Sequence, residues 1–348
     1  MKKNCTKSES TGRNYIEDNR VDTNASPSAY GWCFQVGAGI KLMLDNVKEF
    51  ISMKLEGSSD DIEISLNSGK IYAQAKSVTQ IGDQRSASTN LNNALHLLSQ
   101  DVKNGDAIKL VYITNIANPL TSSMPSAFQY GSSYDFSVLP LDAQEKIADK
   151  VENKFPTEKF QLHILNFFGE GDNKFSSIKE KISEFLREAI DDPSYNKQLL
   201  NNWFETFMVN ASDKPDNLKK LELTKKQVIF PVIILVIDPP ISETDFTKVC
   251  EHDNYGEIIQ EFRKTINRNA SDYEFISEVV GDYLTKRNML SDKSNFKYTY
   301  VKNEWNNYEN QFLFILDQEK REALIKMLLL TVITQRSKIN SIKEAASL

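Results

Sequence analysis

The stretch from Leu55 to Ser77 has the residue types and spacing that metal-assisted phosphodiester hydrolysis needs. Asp61 offers a carboxylate, Gln74 a side-chain carbonyl and Ala75 a backbone carbonyl, all of them oxygen ligands of the kind that Mg²⁺ prefers. Glu56 lies five residues before Asp61 and can reach the same ion directly or through a water molecule. Bound Mg²⁺, or Mn²⁺ in its place, would lower the pKa of a water ligand and stabilise charge on a phosphate.

Lys76 supplies the positive charge that this chemistry also needs. Its ammonium group would orient the attacking water or stabilise the anion that develops on the pentavalent phosphorus. The spacing therefore predicts two overlapping sets of residues. The catalytic set is Glu56, Asp61, Gln74 and Lys76, and the metal ligands are Glu56, Asp61, Gln74 and Ala75.

These residues lie together if the stretch folds as a β-hairpin. Apolar and polar residues alternate over residues 61–66 and 71–76, on either side of an Asn-Ser-Gly turn sequence. Side chains alternate between the two faces of a strand, so Asp61, Gln74 and Lys76 project from one face and the apolar residues from the other. Depending on the register of the turn, Asp61 faces either Gln74 or Lys76.

Other polar residues compete for the site or lie beside it. Asp60 is the alternative carboxylate to Asp61, but it has the wrong parity for the face that carries Gln74. Glu63 shares the face of Asp61 and is either a metal ligand or a solvated strand residue. Gln35 either touches the site or DNA, or packs on a helix surface. Residues 77–90 are either phosphate contacts or a polar connector.

The elements around the hairpin predict an α/β fold with a mixed sheet flanked by helices. Residues 1–26 are polar and aperiodic, which predicts a disordered tail. A lysine-rich stretch at 214–226 predicts a boundary between a domain at 27–220 and a mainly helical region at 221–348. The predicted elements are helices over 31–52, 86–101 and 178–190, strands over 107–116, 160–168 and 228–237, a mostly helical stretch over 255–287 and an apolar-rich helix within 311–340.

Composition excludes several classes of protein. The 348 residues include 42 Lys and Arg against 48 Asp and Glu, so DNA contact must use a local patch rather than bulk charge. The longest apolar run is too short for a membrane helix, which needs about 20 residues. The three cysteines (Cys5, Cys33 and Cys250) are scattered and form no CxxC pair, which suits a reducing cytoplasm.

Asp61, a hairpin and the string Gln74-Ala75-Lys76 together resemble the core of PD-(D/E)xK nucleases in its Q-x-K form. The longer pattern is similar to the CD-NTase-associated double-stranded DNA endonucleases of bacterial anti-phage defence. It joins Gly31-Trp32-Cys33-Phe34-Gln35 at a helix start, Leu55-Glu56, Asp60-Asp61-Ile62-Glu63-Ile64 and Gln74-Ala75-Lys76-Ser77, and it covers residues 29–120, with a weaker match to 205.

That resemblance implies a restriction-endonuclease-like core, Mg²⁺ dependence and cleavage of double-stranded DNA with little sequence preference. The chain departs from the commonest pattern of the superfamily because Gln74 replaces an acid, which removes one negative charge and weakens metal binding. The alternative is therefore a catalytically inactive, nuclease-like scaffold that recruits DNA or partner proteins. A restriction enzyme would need a sequence-reading domain, for which the sequence has no motif.

The size of the C-terminal region refines the resemblance. Members of this family often carry a C-terminal domain that senses a cyclic oligonucleotide, but residues 221–348 are too few for it. The chain is thus more similar to the nuclease subunit of a Lamassu-type defence system. That likeness implies an SMC-like ATPase and a small third subunit as partners, with residues 221–348 as the docking or regulatory region. A homo-oligomer is a further expectation.

Overall fold

A computed structural model describes residues 26–56, 61–151, 155–212, 222–238, 241–251, 255–268 and 273–348. The predicted tail at 1–26, apart from Ser26, lies outside these ranges, and so do Asp60 and most of the lysine-rich stretch at 214–226.

The described strands form one mixed sheet in the order β5-β6-β4-β3-β2-β1-β7. Strands β3, β4 and β6 run parallel to one another, while β1, β2, β5 and β7 pair antiparallel with their neighbours. The strands are β1 Phe50–Leu55, β2 Ile62–Leu66, β3 Gly69–Lys76, β4 Ala107–Thr114, β5 Ser133–Asp135, β6 Phe160–Ile164 and β7 Glu222–Thr224.

Helices cover both faces of this sheet, and a helical region follows it along the chain. The first five are α1 Ser26–Asp45, α2 Ala87–Asp101, α3 Leu141–Ala148, α4 Ser176–Ile190 and α5 Asn196–Ser212. The C-terminal region adds α6 Lys225–Ile237, α7 Glu243–Phe246, α8 Tyr255–Arg268, α9 Tyr273–Asn288, α10 Phe296–Glu304 and α11 Gln318–Ala346. Among the described helices, none combines the length and the apolar character needed to cross a bilayer.

The predicted hairpin is confirmed, and its register is the first of the two alternatives. Ile62 pairs with Ala73, so continuing the ladder by one step places Asp61 opposite Gln74. The turn needs Gly69, whose φ of +143° is one that side chains rarely allow. A Cβ atom there would lie 2.8 Å from the backbone oxygen of Asp106, which cannot easily move away.

The apolar face of the hairpin packs inward, as the alternation predicts, while the other face enters a second core that the alternation does not predict. Ile62, Ile64, Ala73 and Ala75 pack in the main core with α1 and α4. On the other face, Tyr72 and its neighbours pack under α2 and α3 in a second core. The predicted mixed α/β architecture with flanking helices is confirmed, and so are the helices predicted over 86–101 and 178–190 and the helix predicted within 311–340. The mostly helical stretch predicted over 255–287 is confirmed for its described residues, 255–268 and 273–287.

The predicted helix over 31–52 is wrong beyond residue 45. The chain turns after α1, where the Asn46 side chain donates to the Leu42 carbonyl at 2.7 Å. It then enters β1, which pairs with β2 on one side and β7 on the other. Apolar spacing did not reveal this change because buried residues of β1, such as Phe50 and Met53, also fit a helical period.

The predicted strand over 228–237 is also wrong, because these residues belong to α6. A continuous apolar run of this length is compatible with either a buried strand or a buried helix. Here Thr224 and Gln227 form a capping box that starts a helix, despite Pro231 in its interior. Two further strands are shorter than predicted, since β4 ends at Thr114 and β6 at Ile164.

The C-terminal region contributes to the sheet and to the main core. Strand β7 lies beyond residue 220 and pairs with β1, Met53 opposite Leu223. Apolar residues of α6 and α11 share the main core with α1 and the hairpin. The division at residue 220 stays a prediction.

His163 on β6 predicts a pH dependence of stability. Burial lowers its pKa to about 3, helped by the charges of Lys41 and Lys109 and opposed by Asp45. In the unfolded chain the histidine has a pKa of about 6.5. Between about pH 6.5 and 3 the imidazole is therefore protonated in the unfolded chain but neutral in the folded protein. The free energy of unfolding is therefore fully retained above pH 6.5 and falls below it.

We expect the histidine to account for a loss of about 1–2 kcal/mol between pH 7.5 and 5. Urea denaturation of the wild type and of His163→Gln at both pH values measures the difference. An equal loss of unfolding free energy in the two proteins would contradict the assignment.

Candidate active site

The Asp61 carboxylate joins the two strands of the hairpin at the edge where β3 ends. Its Oδ2 accepts a hydrogen bond from the Lys76 ammonium at 2.8 Å and a second from the Ala75 backbone N–H at 2.8 Å. The Lys76 side chain is 27% exposed and that of Asp61 is 16% exposed, so the pair is sheltered but open to solvent. Asp61 and Lys76 are therefore brought together as the parity of the hairpin predicts.

Gln74 lies opposite Asp61 when the β2–β3 ladder is continued by one step. It is fully buried, and its neighbour on β4 is Tyr112, at the register position next to it. Lys76 pairs in the same way with Thr114, the last residue of β4. Lys76 and Thr114 thus lie at the carboxyl ends of the parallel strands β3 and β4. Open α/β sheets usually bind ligands at this edge.

Glu56 follows β1 directly, one strand away from Asp61. Its backbone N–H donates to the Asp61 carbonyl at 3.0 Å, which continues the β1–β2 ladder by one step. Its φ of +50° is in the left-handed region, which is uncommon for a residue other than glycine. This conformation ends the strand alternation at Glu56 and leaves the residue exposed beside the candidate site.

Glu63 and Gln35 take no part in the Asp61 contacts. The Glu63 carboxylate binds the Lys70 ammonium at 3.1 Å, and Lys70 also contacts Asp106 at 3.3 Å. Burial acts to lower the pKa of Lys70, but the hydrogen bonds to Glu63 and Asp106 outweigh it and raise the pKa. Gln35 is half-buried on α1, and within the described ranges no hydrogen bond connects it to Asp61 or Lys76.

A buried asparagine fixes the loops around this edge. The Asn115 Oδ1 accepts from the Val78 N–H at 2.8 Å, and its Nδ2 donates to the Val78 carbonyl at 2.7 Å. The same amide group donates to the Phe167 carbonyl at 3.4 Å and to the Tyr30 hydroxyl at 3.2 Å. Asn115 therefore connects the segments that follow β3, β4 and β6 with the start of α1. One of its partners, Val78, lies only two residues beyond Lys76.

Tyr30 completes this arrangement on the α1 side. Its hydroxyl donates to the Phe167 carbonyl and accepts from Asn115. Burial raises the pKa of Tyr30 to about 12, although the Asn115 hydrogen bond acts in the opposite direction. The hydroxyl is therefore a neutral donor at physiological pH and serves to hold α1 against the loop after β6.

The sequence pattern did not indicate a role for Asn115 or Tyr30 at this edge. The predicted strand over 107–116 placed Asn115 inside the strand, where its side chain would have had no distinct role. The available signal was a polar amide at the end of the apolar run Leu110–Ile113, because a buried amide needs several hydrogen-bond partners.

The chemistry of the donor set fits a hard divalent cation. Asp61 supplies a carboxylate at the sheet edge, Gln74 a buried amide opposite it in the β2–β3 ladder, and Glu56 a second carboxylate on a residue whose backbone N–H bonds to the Asp61 carbonyl. Ala75 contributes its N–H to Asp61, which orients the carboxylate. Within the described residues, no cluster of three or more His, Cys, Asp and Glu side chains is placed to hold a metal ion.

Comparison of the chain with protein-family models, curated proteins and solved structures gives no match.

Asn115→Ala tests whether this side chain positions the strand end. We expect the free energy of unfolding to fall by about 2–4 kcal/mol, because the backbone groups of Val78 and Phe167 lose their buried partners. Hydrogen exchange at the Val78 amide should accelerate more than exchange in β1. Asn90→Ala, which removes one hydrogen bond to Ser86, is the matched control. Equal effects of the two substitutions would contradict the assignment.

Proposed function

We propose that this protein is a metal-dependent double-stranded DNA endonuclease with a PD-(D/E)xK-type core and little sequence preference. The observation that carries the proposal is the convergence of Asp61, Ala75 and Lys76, with Gln74 in the same row of the sheet. The Q-x-K form of that core is expected to present a carboxylate, an amide and a lysine to one phosphodiester group, and this convergence supports the proposal.

Each residue has a distinct task in the proposed reaction. Asp61, Gln74 and Glu56 would hold Mg²⁺ or Mn²⁺, with the Ala75 carbonyl as a further ligand. When bound, the ion supplies an activated water molecule and stabilises negative charge on the phosphate. The Lys76 ammonium lies 2.8 Å from the Asp61 carboxylate. When that carboxylate binds the ion, the ammonium would be released to stabilise the negative charge that develops on the phosphate.

The surroundings of the site support a duplex substrate held by its backbone. The loop over residues 77–86 follows Lys76 directly and carries hydroxyl and amide side chains together with Arg85, which is 86% exposed and paired with Asp83. Lys174 lies 6.0 Å from the ring centroid of Tyr30, near the same edge. Contacts of these kinds position a duplex without reading its sequence.

Control of such an activity would require partners, because an unrestrained nuclease damages the genome of its own cell. We propose an effector of bacterial anti-phage defence in the cytoplasm, of the Lamassu type, held by an SMC-like ATPase and a small third subunit. In support, the C-terminal region exposes the large apolar side chains of Met289, Leu313 and Leu316. The shared core offers a route from this region to α1 and the hairpin.

A second candidate is a non-catalytic scaffold built on the same core. The observation that favours it is the neutralisation of Asp61 by Lys76, combined with the absence of an acid at position 74. A scaffold of this kind would bind DNA or partner proteins without hydrolysing the backbone. It predicts that DNA binding persists while cleavage is absent from the wild type.

Plasmid cleavage with Mg²⁺, by the protein together with its partners, separates the two candidates. For a nuclease we expect Lys76→Ala and Asp61→Asn to lower the cleavage rate at least about 100-fold, because each removes a group that acts on transition-state charge. DNA binding, measured by fluorescence anisotropy, should change far less.

Two matched controls lie on the same hairpin. Lys70→Ala removes a lysine from the other end of β3, and Glu63→Gln neutralises a carboxylate two residues from Asp61 on the same face. Both controls should retain cleavage within about threefold of the wild type, since neither residue contacts Asp61 or Lys76. Loss of cleavage in all four variants alike would contradict the proposed site, and no cleavage by the wild type would favour the scaffold.

A further inference from the structure

A cavity lies between four helices of the C-terminal region, away from the candidate active site. Its walls come from α6, α8, α9 and α11, and the space inside it that the centre of a water-sized sphere can occupy is about 50 Å³. Most lining side chains are apolar and buried, among them Phe230, Ile266, Phe275 and Leu328. Gln311 is exposed and marks the mouth.

Two of the described lining residues are polar, Thr265 in the interior and Gln311 at the mouth. Thr265 on α8 is 2% exposed and lines the cavity, and its hydroxyl oxygen makes no hydrogen bond with any residue that the structure describes. Three other helical threonines behave differently, because each hydroxyl donates to the carbonyl four residues earlier. They are Thr206 to Asn202 at 2.9 Å, Thr285 to Gly281 at 2.9 Å and Thr331 to Met327 at 2.8 Å.

The difference points to an occupant of the cavity. A buried hydroxyl without a partner destabilises a fold, and a threonine on a helix can usually avoid this by donating to its own backbone. A water molecule in the cavity would need two to four polar partners, whereas the described side chains of the lining supply the Thr265 hydroxyl in the interior and the Gln311 amide at the mouth. A molecule with an apolar body and one polar oxygen matches this surface better.

We propose that the cavity is a binding site for a small, largely apolar molecule, about the size of one aromatic ring, that carries a single hydroxyl or carbonyl oxygen. The oxygen pairs with Thr265, and the apolar body contacts Phe230, Ile266, Phe275 and Leu328. The site is independent of the nuclease chemistry proposed above. The molecule is small because the centre of a water-sized sphere can occupy only about 50 Å³ inside the cavity.

Phenol and toluene are the probes, since they have nearly the same shape and differ by one hydroxyl group. Ligand-observed NMR titrations on the full-length protein measure both dissociation constants. We expect the wild type to bind phenol about 3–10-fold more tightly than toluene, which corresponds to one additional hydrogen bond. Thr265→Val, which preserves the side-chain shape, should remove this preference.

Stability without ligand provides a second and separate readout. Thr265→Val should raise the Tm by about 2–4 °C, because it removes an unsatisfied hydroxyl from an apolar site. The matched control is Thr331→Val on α11, a residue equally buried but with its hydroxyl bonded to Met327 and Ile241. This control should lower the Tm and leave the preference for phenol intact.

Three results would overturn the proposal. One is equal binding of phenol and toluene by the wild type, or no binding of either up to their solubility limits. Another is a preference for phenol that persists in Thr265→Val. The third is a crystal structure, grown with phenol, in which an ordered water molecule instead of phenol occupies the cavity and bonds to the Thr265 hydroxyl.

Discussion

The double hydrogen bond to the Asp61 carboxylate is the constraint on which the candidate site depends. It joins the start of β2 to the end of β3 through the Ala75 backbone and the Lys76 side chain, at 2.8 Å each. Both contacts use the same oxygen, Oδ2, so the orientation of the carboxylate is set by the hairpin itself. Because β3 also pairs with the parallel strand β4, the carboxylate is held in a fixed position relative to the edge where the parallel strands end.

Support for this edge comes from buried polar groups as well as from apolar packing. Asn115 bonds to the segments after β3 and β6 and to Tyr30 on α1, which closes a ring of contacts around the strand ends. The main core continues from α1 and the hairpin to α6 and α11, so the C-terminal helices and the site share one packed interior. A change in the packing of those helices therefore has a direct physical route to the hairpin.

The hairpin was predictable from the sequence because alternation and turn chemistry agree there, and parity alone placed Asp61 and Lys76 on one face. The errors came where one pattern permits two structures. The run at 228–237 fits a buried strand or a buried helix, and Thr224 and Gln227 decide between them by capping. Strands of three residues, such as β5 and β7, have too few positions to show a period. Asn115 was missed because its partners lie on loops that only the fold brings together.

A titration with Mn²⁺, followed by electron paramagnetic resonance, tests the candidate cation site directly. If Asp61 is the main ligand and the Lys76 ammonium competes for it, Asp61→Asn should weaken Mn²⁺ binding at least tenfold and Lys76→Met should strengthen it. Glu63→Gln should leave the dissociation constant near that of the wild type. Identical Mn²⁺ affinities in the wild type, Asp61→Asn and Lys76→Met would show that the Asp61 carboxylate is not a metal ligand for which the Lys76 ammonium competes.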